Sequence, residues 1–253
     1  MITFPNAKLN LGLNILRKRE DGYHDLESLF IPYSGLRDVL EILPAKKTSL
    51  HLYGIPLDGT PEDNLVFKAW EMMHGKFGVP PVEIHLWKGI PSGAGLGGGS
   101  ADAAYTLAML CEIFLLRLQQ RELAELAATL GSDCPFFIYN RPMIARGRGE
   151  ILTPFGIDLS AYHIEVVKPE AAVSTREAYA GVHPHLPSMP LEEVLALPVE
   201  RWKGLLQNDF EESIFPVHPE IAAVKEDFYR RGAIYAAMSG SGSAVMGIFR
   251  KND

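Results

Sequence analysis

Residues 90–104 read IPSGAGLGGGSADAA, with five glycines among the seven positions 93–99, directly before a segment of helical character. Glycine lacks a Cβ and tolerates positive φ, so consecutive N–H groups can converge on one anion, and a helix N-terminus behind them adds a favourable dipole. The chemistry this supports is phosphate binding by Pro91, Ser92, Gly93, Ala94, Gly95, Leu96, Gly97, Gly98, Gly99, Ser100 and Ala101, with Ser100 as the helix N-cap. A slack or tightly packed connection is the alternative for an isolated glycine cluster. The strand-like run before it and the small residues Ala103 and Ala104 after it favour a strand–loop–helix cradle. The loop lacks the Lys-Ser/Thr ending of a P-loop. Gly93, Gly95 and Gly98 meet the dinucleotide spacing, but a second helix follows where that fingerprint needs a strand. A protein-kinase glycine loop would need a nearby Val-Ala-Ile-Lys strand, which is not there.

Three further places could carry chemistry. Asp133 follows the helix stop Gly131 and precedes the apolar run Pro135–Ile138, where a carboxylate can face a cleft; an ordinary turn cap is the competing reading. Lys8 lies on the polar face of an alternating strand with Asn6 and Asn10, a face that could equally be solvated at a sheet edge. Tyr23 and His24 follow the Asp21-Gly22 turn and suit either half-buried packing or a ligand platform. His183 and His185 have metal-strand spacing, yet the neighbouring prolines 184 and 187 indicate a surface loop without a third ligand. Cys134 reads as a packing residue, since no histidine close in sequence activates its thiol, and Cys111, in mid-helix, as a small buried hydrophobe.

The elements that must position these groups follow from periodicity. Residues 4–16 alternate, with Ala7, Leu9, Leu11, Leu13 and Ile15 on one face, predicting a half-buried strand. Shorter strands are expected near 39–43, 48–53 and 82–87, and helices over 63–77, 100–116 and 119–130. Residues 136–170 read mostly as strands and turns, 174–181, 191–206 and 219–231 as helical pieces, and 233–238 with 244–249 as a hairpin-like pair around SGSGS. Mixed elements without regular βαβ alternation indicate an α+β fold, divided softly near 155 into 1–155 and 156–253. The 253 residues carry a net charge of −7 with no Lys/Arg block, which argues against nucleic-acid or anionic-membrane partners. Two cysteines, no basic leader and no run of about 18 apolar residues point to a cytoplasmic chain, monomeric or homodimeric.

The string PSGAGLGGGSADAA resembles the phosphate loop of the GHMP small-molecule kinases. PNAKLNLGLNI, DGYHDLESLF, EDNLV, GSDCPFFI, GRGE, the pair Asn208-Asp209 and MSGSGSAVMG extend the likeness along nearly the whole chain, to the branch that phosphorylates a cytidine-diphosphate-linked methylerythritol. The resemblance implies a two-domain fold, an N-terminal domain of ribosomal-protein-S5 type and a C-terminal GHMP domain, with the active site in the cleft between them. It implies ATP with Mg²⁺, transfer to the 2-hydroxyl of the substrate, and a place in non-mevalonate isoprenoid synthesis. By position, Asp133 is the base and Lys8 the cation beside it; Asn64 joins the ATP set. Asn10 joins the substrate set, in which Tyr23 stacks on cytosine, His24 reads its edge and Tyr179 covers the other ring face. A homoserine- or mevalonate-type kinase, or an inactive nucleotide sensor on the same fold, are the rival readings; DGYHDLESLF opposes the first and intact Lys8 and Asp133 the second.

Overall fold

The computed structural model describes residues 1–251. Its elements are β1 (Ile2–Thr3), β2 (Asn6–Lys18), β3 (His24–Arg37), β4 (Val39–Pro44), β5 (Ser49–Gly54), α1 (Leu65–Phe77), β6 (Val82–Lys88), α2 (Gly98–Ile113), α3 (Gln120–Ala128), α4 (Cys134–Tyr139), β7 (Met143–Gly147), β8 (Ile151–Pro154), β9 (Tyr162–Val167), α5 (Thr175–Gly181), α6 (Leu191–Leu195), α7 (Glu211–Val217), α8 (Pro219–Arg230), β10 (Tyr235–Met238) and β11 (Val245–Arg250). They form three sheets, β1-β4-β6-β5, β2-β3-β7-β8 and β10-β11-β9, which makes the chain α+β. Two compact units, each discontinuous in sequence, divide these elements. The first comprises residues 1–8, 32–92 and 97–141, and the second 9–31, 93–96 and 142–253.

In the first unit β4 and β6 are antiparallel, whereas β5 runs parallel to β6. A parallel pair needs a crossover, and α1 supplies it. Asn64 caps α1 by accepting from the Val66 N–H, Gly78 ends it in the left-handed region, and Val66, Ala69 and Met73 form its buried stripe. They pack with Leu40, Ile42, Ile84 and Leu86 of the sheet and Ala103, Leu107 and Leu110 of α2 in one core. In the second unit β9, β11 and β10 pair antiparallel. Its core gathers Leu13, Ile15, Phe210, Ile214, Phe228, Met238 and Val245.

Three expectations change, and one helix forms where none was expected. The polar face of β2 is buried along with the apolar one: Asn6, Lys8 and Asn10 are 6%, 4% and 2% exposed. The PFFI run is helical, because Pro135 sits in the first turn of α4, where its missing N–H is not needed. Residues 191–206 hold only α6 and a short 3-10 turn, and α7 forms despite an internal Pro216.

Candidate active site

The glycine loop connects β6 to α2. Ala94 and Leu96 are each 1% exposed and anchor it, while the glycines that alternate with them take positive φ, 63° at Gly93, 74° at Gly95 and 71° at Gly97. Two of these glycines are required sterically. A Cβ on Gly95 would lie 2.0 Å from the Ser239 carbonyl oxygen, and one on Gly97 would lie 3.0 Å from both Lys8 Cγ and Phe137 Cζ. Helix α2 starts at Gly98 with left-handed Gly97 as N-cap, and no side chain accepts from its first N–H groups. Ser100 therefore stands inside the first turn and is not the cap, because the unhindered backbone enters the helix earlier. A Cβ on Gly93 would meet nothing within 4 Å, and one on Gly99 only Leu65 at 3.9 Å. The uncapped first turn and the open space at these glycines suit a phosphate.

Lys8 and Asp133 come together across β2 and the start of α4. Lys8 Nζ lies 3.4 Å from Asp133 Oδ2, with the lysine side chain 4% and the aspartate 32% exposed. Asp133 is the residue before α4, but its carboxylate caps nothing, so the turn-cap alternative does not describe it. The pair is held from both ends. Tyr105 Oη donates to Asn6 Oδ1 at 2.8 Å, and Asn140 Nδ2 donates to the same oxygen at 2.9 Å and to Tyr105 Oη at 3.0 Å. That network ties β2 two residues before Lys8 to the end of α4. Asn6 was visible in the strand pattern; Tyr105 and Asn140 carried no local signal. Buried Cys134, beside Asp133, has its thiol pushed up to about 12, first by burial. It stays protonated and packs, as expected.

A second group missed by the sequence reading clamps the loop's ends. Lys88, the last residue of β6, sends its buried ammonium to Asp38 and, at 2.6 Å, to Oδ2 of Asp102, the fifth residue of α2. Asp38 Oδ1 also accepts from the Gly89 and Ile90 N–H groups at 2.7 and 2.8 Å, fixing the backbone where the loop begins. Two carboxylates thus share one ammonium in a site closed to water. Burial raises Asp102 to about 8, and its Oδ1 has no hydrogen-bond partner. A neutral carboxyl is better tolerated there than a buried anion. The sign follows: between about pH 4 and about 8 the folded chain keeps a proton that the unfolded chain releases, so this group lowers stability as pH rises through that window. Asp102→Asn is expected to fold and to flatten the decline of melting temperature across it. Parallel curves for variant and wild type would remove Asp102 from this account.

In the second unit Asn10 Nδ2 donates to Ser28 Oγ at 2.9 Å, and the Asn10 N–H donates to Ser239 Oγ at 3.2 Å. Asn208 Nδ2 donates to the carbonyls of Met238 and Gly240, both at 2.8 Å, and so shapes the second glycine-rich turn. The His24 and Tyr179 rings stack with centroids 4.9 Å apart, and Phe210 meets Tyr179 edge-on. Tyr23 is 56% exposed and has the Arg148 guanidinium 4.8 Å from its ring centroid. Burial, then the charge of Lys18, lowers the His24 pKa, so its imidazole is neutral near pH 7, with one donor and one acceptor nitrogen. Asn64 has committed its side-chain carbonyl to α1. His183 and His185 join no three-ligand cluster among the described residues.

The family model of the GHMP kinases N terminal domain matches residues 64–141, and that of the GHMP kinases C terminal matches 193–253. The chain is 54% identical to the 4-diphosphocytidyl-2-C-methyl-D-erythritol kinase of Bacteroides thetaiotaomicron, over 98% of this chain and 92% of that one. It is 50% identical to the enzyme of the same name from Parabacteroides distasonis, over 99% and 92%. A crystal structure of 4-(cytidine 5'-diphospho)-2C-methyl-D-erythritol kinase superposes with a TM-score of 0.83 at 36% identity, covering 98% of this chain and 90% of the other.

Proposed function

The chain belongs to the 4-diphosphocytidyl-2-C-methyl-D-erythritol kinases of the GHMP kinase family, and we propose how its own residues carry the reaction of that family. The reaction is phosphoryl transfer from ATP to the 2-hydroxyl of 4-diphosphocytidyl-2-C-methyl-D-erythritol, giving the 2-phosphate and ADP, in the non-mevalonate route to isoprenoid precursors.

The observation that carries the mechanism is the ion pair between Lys8 and Asp133 at 3.4 Å, with Gly97 of the glycine loop packed against the lysine stem. Asp133, partly open to solvent, takes the proton of the substrate hydroxyl. Lys8 orients that carboxylate and favours the alkoxide that develops as the proton leaves. The backbone N–H groups of residues 93–101, with the N-terminus of α2, hold the phosphates, and the Lys88 clamp keeps the ends of the cradle in register. ATP supplies the transferred group when bound, and Mg²⁺ would neutralise charge on its phosphates. The proposed protein contribution to holding Mg²⁺ is small: among the described residues no group of three carboxylate, histidine or cysteine ligands stands at the glycine loop, and the two carboxylates of the clamp are engaged by Lys88, so phosphate oxygens and water would be the main ligands.

Tyr23 stacks on the cytosine with its exposed ring. Neutral His24, backed by Tyr179, presents one donor and one acceptor to the base edge. Tyr179, stacked on His24, is proposed to cover the other face of the base. We place the boundary between the two family domains near residue 155, between the segments matched by the two models. Among the described residues no helix is long and apolar enough to cross a membrane.

The test is ADP release by the purified chain offered the cytidyl substrate, mevalonate and homoserine in parallel. Release with the first alone is expected. Equal or greater turnover of either other alcohol would reassign the substrate, and no release with any of them would favour an inactive nucleotide sensor.

A further inference from the structure

The sheet β1-β4-β6-β5 has one face in the core and one outside it. Alternation along β6 sends Val82, Ile84 and Leu86 into the core and leaves Glu83, His85 and Trp87 on the outer face. On β5, Leu50 is in the core and Ser49, His51 and Tyr53 lie outside. The parallel register places His51 directly beside His85. The geometry points to a divalent transition-metal site built from His51, Glu83 and His85 on this outer face, for which Zn²⁺ is the fitting ion.

Glu83 Oε1 lies 3.2 Å from His51 Nε2 and 3.4 Å from His85 Nε2, and one ligand atom from each residue falls within 4.8 Å of the others. Zn²⁺ with bonds of about 2.0–2.1 Å in a tetrahedron needs donor atoms about 3.3 Å apart, which two of the three edges already match. The imidazole rings stack with centroids 4.8 Å apart and planes 16° from parallel, so closing the third edge takes a small rotation about side-chain bonds. The surroundings suit ligation. His85 Nδ1 is 3.1 Å from Tyr53 Oη; with Nδ1–H donating to the phenol oxygen, Nε2 keeps its lone pair for the ion. Ser49 Oγ is 3.2 Å from His51 Nε2, a contact that an ion bound at that nitrogen would displace. Glu41 of β4 stands opposite His85 in register and on the same face, so the fourth position can be taken by a carboxylate or by water.

The donor set separates this site from the kinase chemistry. Two imidazoles and one carboxylate favour borderline-soft ions over Mg²⁺, which takes oxygen ligands. The three residues are half-buried or exposed, so an ion can reach them, and their face is opposite the one packed against α2. Because β5 is the edge strand, an ion shared by His51 and His85 ties that edge to β6.

The test is calorimetric titration of ZnCl₂, with MgCl₂ as control, into the chelator-stripped full chain. One saturable Zn²⁺ per chain and no comparable Mg²⁺ binding are expected. His51→Ala and His85→Ala should each weaken Zn²⁺ binding about tenfold or more. His183→Ala with His185→Ala should not change it. Zn²⁺ should raise the melting temperature of the wild type but not of the His51→Ala/His85→Ala double variant, whose fold is checked by circular dichroism and whose kinase turnover should equal that of the wild type when both are assayed with Mg²⁺ and without Zn²⁺. Lack of saturable Zn²⁺ binding by the wild type, unchanged affinity in the folded double variant, or dependence on His183 and His185 would each overturn the assignment.

Discussion

Asp133→Asn is expected to lower turnover about 100-fold or more while ATP affinity changes little. An amide is nearly isosteric with the carboxylate and can still face Lys8 Nζ through its oxygen, so the geometry of the pair survives. What it cannot do is accept the proton of an attacking hydroxyl. Asparagine also withdraws the negative charge facing the buried lysine. Some loss of stability is therefore expected, bounded by the partial exposure of Asp133 and its screening by solvent. Melting curves separate that loss from the kinetic one. Steady-state turnover within threefold of wild type, in a variant that melts as a folded protein, would take Asp133 out of the proton path and leave Lys8 and the loop to act by positioning alone.

Tyr23→Ala should raise the KM of the cytidyl substrate about 5- to 150-fold and leave that of ATP nearly unchanged. Stacking of an aromatic ring on a base contributes roughly 1–3 kcal/mol by alanine substitution, and 1.4 kcal/mol corresponds to a factor of ten. Tyr23 is open to a ligand because more than half of it is exposed, and its main-chain N–H is fixed by Asp21 Oδ1 at 3.1 Å. Arg148 covers one ring face at 4.8 Å, which leaves the opposite face for the base. Stacking does not distinguish bases, so the preference for cytosine falls to neutral His24, whose donor and acceptor meet a pattern that uracil reverses. Competition by CDP and UDP reads both parts. Equal inhibition by the two, or an unchanged KM in Tyr23→Ala, would detach these residues from the base.

The corrections to the sequence reading share a cause. Alternation in β2 told which residues share a face but not what covers that face, and Lys8 looked as suited to solvent as to a site. Its burial comes from hydrogen-bonding partners distant in sequence, Asn140 and Tyr105 beside Asn6 and Asp133 beside Lys8 itself. Ser100 has the residue type of a cap, yet the helix begins at Gly98 because glycine backbone reaches helical entry without a capping side chain. The PFFI run is too short for its period to separate strand from helix. Strand β3, with Pro32 in its interior, and helix α7, with Pro216, contradict the usual meaning of proline, which tertiary packing overrides.

The sequence by itself determined the family and the α+β class, and it marked the glycine loop, Lys8 and Asp133 as candidates, because each of these rests on strings whose residue types and spacing are read directly along the chain; that Lys8 lies beside Asp133, 125 positions away, is a contact of the folded chain. Only the tertiary structure decided the Lys88–Asp38–Asp102 clamp, whose members lie 50 and 14 positions apart, and the grouping of His51 with Glu83 and His85. Local alternation puts Glu83 and His85 on one face of β6. The arrival of His51 beside them depends on a parallel register set by a crossover helix, and the raised Asp102 depends on how completely the fold shuts out water. Contacts of that range, and the dielectric they create, are properties of the folded chain that no short stretch of residues encodes.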